Sequence, residues 1–260
     1  MKVVLFCGGM GMRLREVSER IPKPMVTIGY RPILWNVMKY YAHFGHKDFI
    51  LCLGYGADIV KEYFLKYDEC VSNDFVLSHG GTHVELLSRD IDDWRITFAY
   101  TGVNSNIGER LKAVQKYLGE DEIFLANYSD GLTDLNLPDY MGQFAEQDCV
   151  AGLVSVRPTF TTHVIHTEAN GIVKKLEDMD KSGTRINGGY FIFRREIFNY
   201  IREKEELVHE PFQRLMKECK LWAYKYDGFW AAMDTFKDKQ QLDDMLAKGS
   251  PPWQVWNKLK

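Results

Sequence analysis

The chain has 260 residues, 45% of them hydrophobic and 13% aromatic, which is enough to enclose a large core without disulfide or metal staples. Its 33 basic and 36 acidic side chains leave a formal charge of -3 and are spread along the whole length, so a nucleic acid or an anionic membrane is not an expected partner. Five cysteines, odd in number and four of them in apolar runs, argue for a reducing compartment; the first apolar run, Val3 to Cys7, is too short for a signal h-region and no stretch has the length of a bilayer span, and both points suggest the cytoplasm.

The first 155 residues alternate strand-length apolar runs with helix-period segments, the pattern of a mostly parallel sheet with crossover helices. Residues 2–7 read as the first strand. Ile33, Leu34, Val37, Met38, Tyr41 and Phe44 then fall on one face of a helix. A strand at 49–53 leads to a helix marked by Ile59, Tyr63 and Phe64. Residues 68–93 break the rhythm: segments 75–78 and 84–87 flank Gly80 and Gly81, which predicts a hairpin inserted in the core. A strand at 96–100 precedes a helix carrying Ile107, Leu111, Val114 and Leu118, and further strands follow at 122–127 and 150–156. Beyond Arg157 the strands shorten, at 164–166, 172–176, 189–193 and 222–226, and Asn170 with Gly171 predicts a type I′ hairpin between the first two. These four should form a small mixed or antiparallel layer over the carboxyl ends of the main sheet. The tail, with Pro251, Pro252, Trp253 and Trp256, carries too much aromatic surface to stay in water and should dock on the body or on another subunit.

The first strand runs directly into Gly8, Gly9, Met10, Gly11, Met12, Arg13 and Leu14, a glycine-rich turn at the place where α/β proteins bind phosphate. Glycines let backbone N–H groups converge on anionic oxygens, and Arg13 can clamp two of those oxygens at once. Lys23 follows between Pro22 and Pro24, which restrict its backbone. Two cations beside a glycine turn suit a triphosphate. A dinucleotide fingerprint is set aside, because its third glycine falls on Leu14 and no acidic residue closes a second strand near position 30. Asp130 follows the apolar strand at 123–126, and Asp234 follows the apolar run from Trp230 to Met233. Carboxylates there can hold Mg²⁺, which takes one or two protein oxygens and completes its shell with phosphate and water. The pairs His79/His83 and His163/His166 lack further ligands at metal spacing.

The ordered stretches 8–14, 22–25, 29–38, 47–64, 108–112, 129–131, 186–189 and 228–242 resemble the sugar-phosphate nucleotidyltransferases over nearly the entire chain. The resemblance implies an α/β fold of the nucleotide-diphospho-sugar transferase type, with a Rossmann-like, mostly parallel sheet flanked by helices and a smaller mixed or antiparallel layer. It implies one domain, with a nucleotide-binding core at 1–156 and an acceptor-binding and C-terminal part at 157–260. By that likeness Arg13 and Lys23 are the catalytic cations that bind the triphosphate and stabilise departing pyrophosphate. Gly8, Gly9, Gly11, Met12 and Ser129 complete the nucleotide cradle, and Asp130 and Asp234 hold Mg²⁺. Arg110 matches the arginine that cytidylyltransferase members direct at cytosine, which points to CTP. Tyr128, Glu177, Asn187 and Gly188 would bind the acceptor, a small phosphorylated metabolite. A homo-oligomer is the expected assembly.

Glucose 1-phosphate is the leading acceptor, with another sugar phosphate, a non-sugar phosphate such as phosphoglutamine, or a nucleotide-binding homologue without turnover left open. Departures from the family pattern bear on this point. Glu177, Asp178 and Met179 stand where the family usually has Glu-Lys-Pro, and Thr161, Thr162, His163 and Val164 stand where a glycine-containing segment is usual. Met12 replaces a threonine. Arg157, Lys175, Lys181 or Arg185 are the nearby cations that could supply the lost charge.

Overall fold

A computed structural model describes residues 1–9, 21–88, 90–158 and 163–257. Strand β1 (Lys2–Phe6) is followed, among the described residues, by the strands β2 (Thr27–Ile28) and β3 (Arg31–Pro32) and by helix α1 (Ile33–His43). Next come β4 (Asp48–Leu53), α2 (Ala57–Leu65), the one-turn helix α3 (Glu69–Ser72), the hairpin β5 (Phe75–Ser78) and β6 (His83–Leu86), and β7 (Arg95–Tyr100). Helix α4 (Ile107–Val114), β8 (Ile123–Asn127), β9 (Gly131–Thr133), α5 (Leu137–Ala145) and β10 (Ala151–Val156) follow. The chain continues through β11 (His163–Thr167), β12 (Val173–Asp178), β13 (Ile186–Arg194), α6 (Glu210–Lys217), β14 (Leu221–Tyr226), β15 (Trp230–Ala232) and α7 (Phe236–Ala247).

Seven strands form the main sheet in the order β14-β10-β13-β8-β1-β4-β7. Neighbours pair parallel except around β13, which runs antiparallel to both β8 and β10. A strand with both faces covered needs an unbroken apolar run, and β1 has one from Val3 to Phe6. Val3 and Leu5 enter the core shared with α1, while Val4 and Phe6 enter the opposite core with Leu111 and Val114 of α4. From β1 the chain moves to one side through β4 and β7 and then crosses to β8 on the other side. The loops that follow β1 and β8 therefore open together at a topological switch point, where open α/β sheets bind ligands.

The mostly parallel sheet, the inserted hairpin and the docked tail are as expected. Trp253 is 1% exposed, stacks on Phe229 and donates to Asn36 Oδ1 at 3.3 Å, and Trp256 meets Trp35 edge-on. Removing a ring so buried costs about 3–5 kcal/mol. Three expectations are corrected. The strands at 189–193 and 222–226 belong to the main sheet as β13 and β14, because their apolar residues are needed there; β11 and β12 pair as a separate hairpin. The turn between them is not type I′, which needs positive φ at both central residues. Gly171 has φ 85° and Asn170 does not share the left-handed region; Glu168 N–H donates to Ile172 O and Gly171 N–H to Glu168 O, a three-residue loop with a glycine bulge. Only Cys7 and Cys52 are buried, whereas Cys70 and Cys219 are exposed.

Candidate active site

Asp130 directly precedes β9 and Asp234 lies two residues beyond β15. These three-residue strands pair antiparallel, Gly131 opposite Ala232 and Thr133 opposite Trp230. Antiparallel pairing sets the start of one strand beside the end of the other, so two aspartates far apart in sequence become neighbours. Met233 N–H donates to Asp130 O at 3.0 Å and locks the register. Lys23 arrives from a single 3-10 turn, Lys23–Met25, whose preceding Pro22 holds an extended conformation at φ -63° and ψ 145°. Its Nζ donates to Asp130 Oδ2 at 2.5 Å and to Asp234 Oδ1 at 2.7 Å. The lysine side chain is 15% exposed. Burial pulls its ammonium down, and the two carboxylates more than offset that, leaving it above its ordinary value. Burial pushes the Asp130 carboxyl up against the opposing pull of Lys23.

This donor set fits the divalent ion that the resemblance implies. Two carboxylate oxygens already face one point of positive charge, and oxygen-only ligands in that small number suit Mg²⁺. Among the described residues no group of three or more His, Cys, Asp or Glu could hold a metal ion.

Ser129, beside Asp130, is fully buried with φ 67°, a conformation that costs a non-glycine residue about 1–3 kcal/mol and persists only where the surroundings enforce it. Here the Ser129 hydroxyl donates to Phe6 O at 2.8 Å and its N–H to Asn127 Oδ1 at 2.6 Å, tying the end of β8 to β1. Ser129 thus shapes the loop that carries Asp130. A cavity of about 470 Å³ opens above these strand ends, lined by Gly8, Gly9, Lys23, Tyr128, Ser129, Asp130 and, from the far side, by Asn106, Ile107, Arg110 and Glu206.

Arg110, unlike most arginines on helices, is buried. It is 2% exposed. Its Nη1 donates to Thr101 Oγ1 and Gly102 O at 2.8 Å and to Leu53 O at 3.4 Å, and its Nη2 to Gly8 O at 3.0 Å and Val103 O at 3.3 Å. One guanidinium thus fastens the loops after β1, β4 and β7 together. Gly8 is required by this contact, since a Cβ there would lie 2.0 Å from Nη1. Helical spacing carried a signal for this burial: Arg110 is three residues after Ile107 and four before Val114, on the apolar face of α4. Glu206 and Asn106 were not singled out from sequence; Glu206 stands in a run of charged residues that gives no local cue.

Of the remaining expected site residues, Gly11, Met12 and Arg13 lie outside the described residues, as do Thr161 and Thr162. On the acceptor side, Tyr128 lines the cavity and Asn187 Nδ2 donates to its hydroxyl at 3.4 Å. Gly188 O accepts from Trp230 Nε1 at 2.8 Å. Glu177 is not among the cavity-lining residues. It faces His166 Nε2 at 2.7 Å and accepts from Lys175 Nζ at 2.5 Å on its own hairpin, and these contacts hold it below the usual carboxylate range. The four cations considered as substitutes all meet acidic neighbours: Arg157 and Arg185 pair with Asp227, Lys175 with Glu177 and Lys181 with Asp178.

A family model described as Nucleotidyl transferase matches residues 2–238. The chain is 36% identical over 258 residues to the glucose-1-phosphate cytidylyltransferase of Salmonella typhi, covering 98% of this chain and 100% of that protein. It is 35% identical, with the same coverage, to a probable glucose-1-phosphate cytidylyltransferase of Bacillus subtilis (strain 168). Among solved structures, HddC from Yersinia pseudotuberculosis complexed with GMP-PN superposes with a TM-score of 0.66 at 20% identity, over 94% of this chain and 99% of that one. A UDP-glucose pyrophosphorylase complexed with UDP-glucose gives 0.68 at 14% identity, over 95% and 98%. These two likenesses concern the fold.

Proposed function

The chain belongs to the nucleotidyl transferase family, and on that footing we propose that it transfers CMP from CTP to glucose 1-phosphate, forming CDP-glucose and pyrophosphate. The observation that carries the reading is the meeting of Lys23, Asp130 and Asp234 at the mouth of a cavity of nucleotide size, in a chain alike over its whole length to glucose-1-phosphate cytidylyltransferases.

An oxygen of the acceptor phosphate attacks the α-phosphorus of CTP in line; that P–O bond forms as the bond to the β-phosphate oxygen breaks. The acceptor is already an anion, so no general base is needed. Asp130 and Asp234 would hold Mg²⁺, which when bound supplies charge neutralisation at the reacting phosphate. Lys23, held between two prolines, offers a fixed positive charge to the leaving pyrophosphate, and Arg13 is assigned the same task. Gly8 and Gly9 offer backbone donors, and Arg110 keeps their loop in place. Positioning and electrostatics account for most of the acceleration in such a site. Tyr128 and Asn187 take the acceptor. Arg110 is the residue assigned to the cytosine side of the cavity.

The same reading places the enzyme in the cytoplasm as a homo-oligomer. Five free cysteines support the first, together with the absence, among the described residues, of a helix long and apolar enough to cross a membrane. Exposed Leu77, Val84 and Leu87 around the β5–β6 hairpin support the second. The test is pyrophosphate release by purified enzyme with CTP and Mg²⁺ against glucose 1-phosphate, other sugar 1-phosphates and phosphoglutamine. Glucose 1-phosphate should be turned over best; if it is inert while another acceptor reacts, or if CTP binds and no acceptor reacts, the assignment fails.

A further inference from the structure

The cavity is lined by two acidic side chains among the described residues, Asp130 and Glu206. Asp130 belongs to the phosphate chemistry. Glu206 is a second negative charge in a pocket that must take a polyanion, and a group there needs a reason. It comes from the segment before α6 and reaches the first turn of α4, where its Oε2 accepts the Ile107 N–H at 3.3 Å and its Oε1 accepts the Leu207 N–H at 3.0 Å. Both oxygens are thereby fixed in direction, and each retains a further lone pair. Around it in the cavity are Ile107, whose N–H it accepts, and Arg110 and Tyr128, on whose charge it acts, whereas Lys23 pairs with Asp130.

Like charges sort the nucleotide. A triphosphate is repelled by Glu206 and belongs at the end of the cavity with Lys23 and the Gly8 and Gly9 backbone donors, so an uncharged part, the ribose or the base, lies against the carboxylate. Glu206 acts on the charge of Arg110, the residue assigned to cytosine, and that favours the base. An ionised carboxylate only accepts hydrogen bonds, so it favours a base edge that carries an amino group and opposes one that presents a carbonyl oxygen there. We infer that Glu206 is a base-specificity residue that accepts a hydrogen bond from the exocyclic amine of the nucleotide, the 4-amino group of cytosine, and thereby separates CTP from UTP. The inference rests on the cytidylyl reading for the identity of the base, but its recognition chemistry applies to any amino-bearing base. Glu206 fills a role that Arg110 cannot: a guanidinium only donates, and both of its terminal nitrogens already bond to loop acceptors.

The test compares CTP with the triphosphate of 2-pyrimidinone riboside, which is CTP without its exocyclic amine, and with UTP, in the wild-type enzyme and in Glu206→Gln. The wild type should lose about tenfold or more in kcat/KM on the amine-free analogue. In Glu206→Gln, whose amide keeps an acceptor but loses the charge and adds a donor, that loss should shrink to about threefold, and UTP should gain relative to CTP. A wild-type enzyme that treats CTP and the analogue alike overturns the inference, and so does a variant that loses the same factor on all three nucleotides, as a purely structural cap of α4 would. If Glu206→Gln does not fold, Glu206→Asp, which keeps the charge but withdraws the carboxylate by one methylene, takes its place with the same outcomes. If the enzyme turns over GTP in place of CTP, the cytidylyl reading fails separately, and GTP against ITP, which lacks the 2-amino group, puts the same question to Glu206 with the same two outcomes.

Discussion

Charged groups at the end of β8 and charged groups on the β11–β12 hairpin are arranged by opposite rules. Lys23, Asp130 and Asp234 come from three distant parts of the chain, and the lysine between them is largely withdrawn from water. On the hairpin, Glu177 meets Lys175 and His166 from the same two strands, and Asp178 meets Lys181 three residues on. Local, exposed ion pairs cost little to form and contribute about 0–1 kcal/mol, so they need no scaffold. A buried lysine between two carboxylates forms only where a fold forces it, and removing one member leaves uncompensated charge. The first cluster is held together by the architecture of the fold, while the second is held by its own neighbours.

The largest effect that tests this contrast is expected from Lys23→Ala. Steady-state pyrophosphate release should fall about 10²–10³-fold, the range for loss of one preorganised donor to transition-state charge. A variant within a few-fold of wild type would put Lys23 among the ordinary surface lysines. Arg110→Ala comes next, as a loss of stability: a buried guanidinium with five acceptors should be worth about 2–4 kcal/mol, read as a lower midpoint in thermal or urea unfolding. Arg110→Lys should recover little, because an ammonium cannot span loops after three different strands. An unchanged midpoint would mean that the loops hold together without it. The smallest effect belongs to the hairpin. Lys175→Ala and Lys181→Ala should each change turnover by less than about twofold, as expected for exposed pairs. A tenfold rise in the KM for the sugar phosphate in either variant would place that cation in the acceptor site and erase the contrast.

How much of this was legible in the sequence follows the same division. Strands such as β1 and β4 announced themselves because burial on both faces demands an unbroken apolar run, and Lys23, Asp130 and Asp234 stood out by their proline, strand and apolar contexts. What joins the two aspartates did not: β9 and β15 are three residues each, too short to show a period, and their pairing spans 97 positions at Thr133 ↔ Trp230 and 101 at Gly131 ↔ Ala232. The Asn170–Gly171 pair marked a turn correctly but not its type, because Gly171 serves a bulge as well as a type I′ turn. The burial of Arg110 runs against the rule that arginine is rarely buried, although its place on the apolar face of α4 was readable. The placement of β13 and β14 in the main sheet depends on long-range pairing with β8 and β10, which strand length alone does not encode.

The central claim is that Asp130 and Asp234 act as one unit on one divalent ion. It is tested most directly by Mg²⁺-dependent pyrophosphate release in Asp130→Asn, Asp234→Asn and the double variant, with folding checked by circular dichroism. Each single variant should lose about 10³-fold or more, and the double should be scarcely worse than either one, as for groups that work together. Wild-type turnover in either single variant, or losses that multiply in the double, would contradict it.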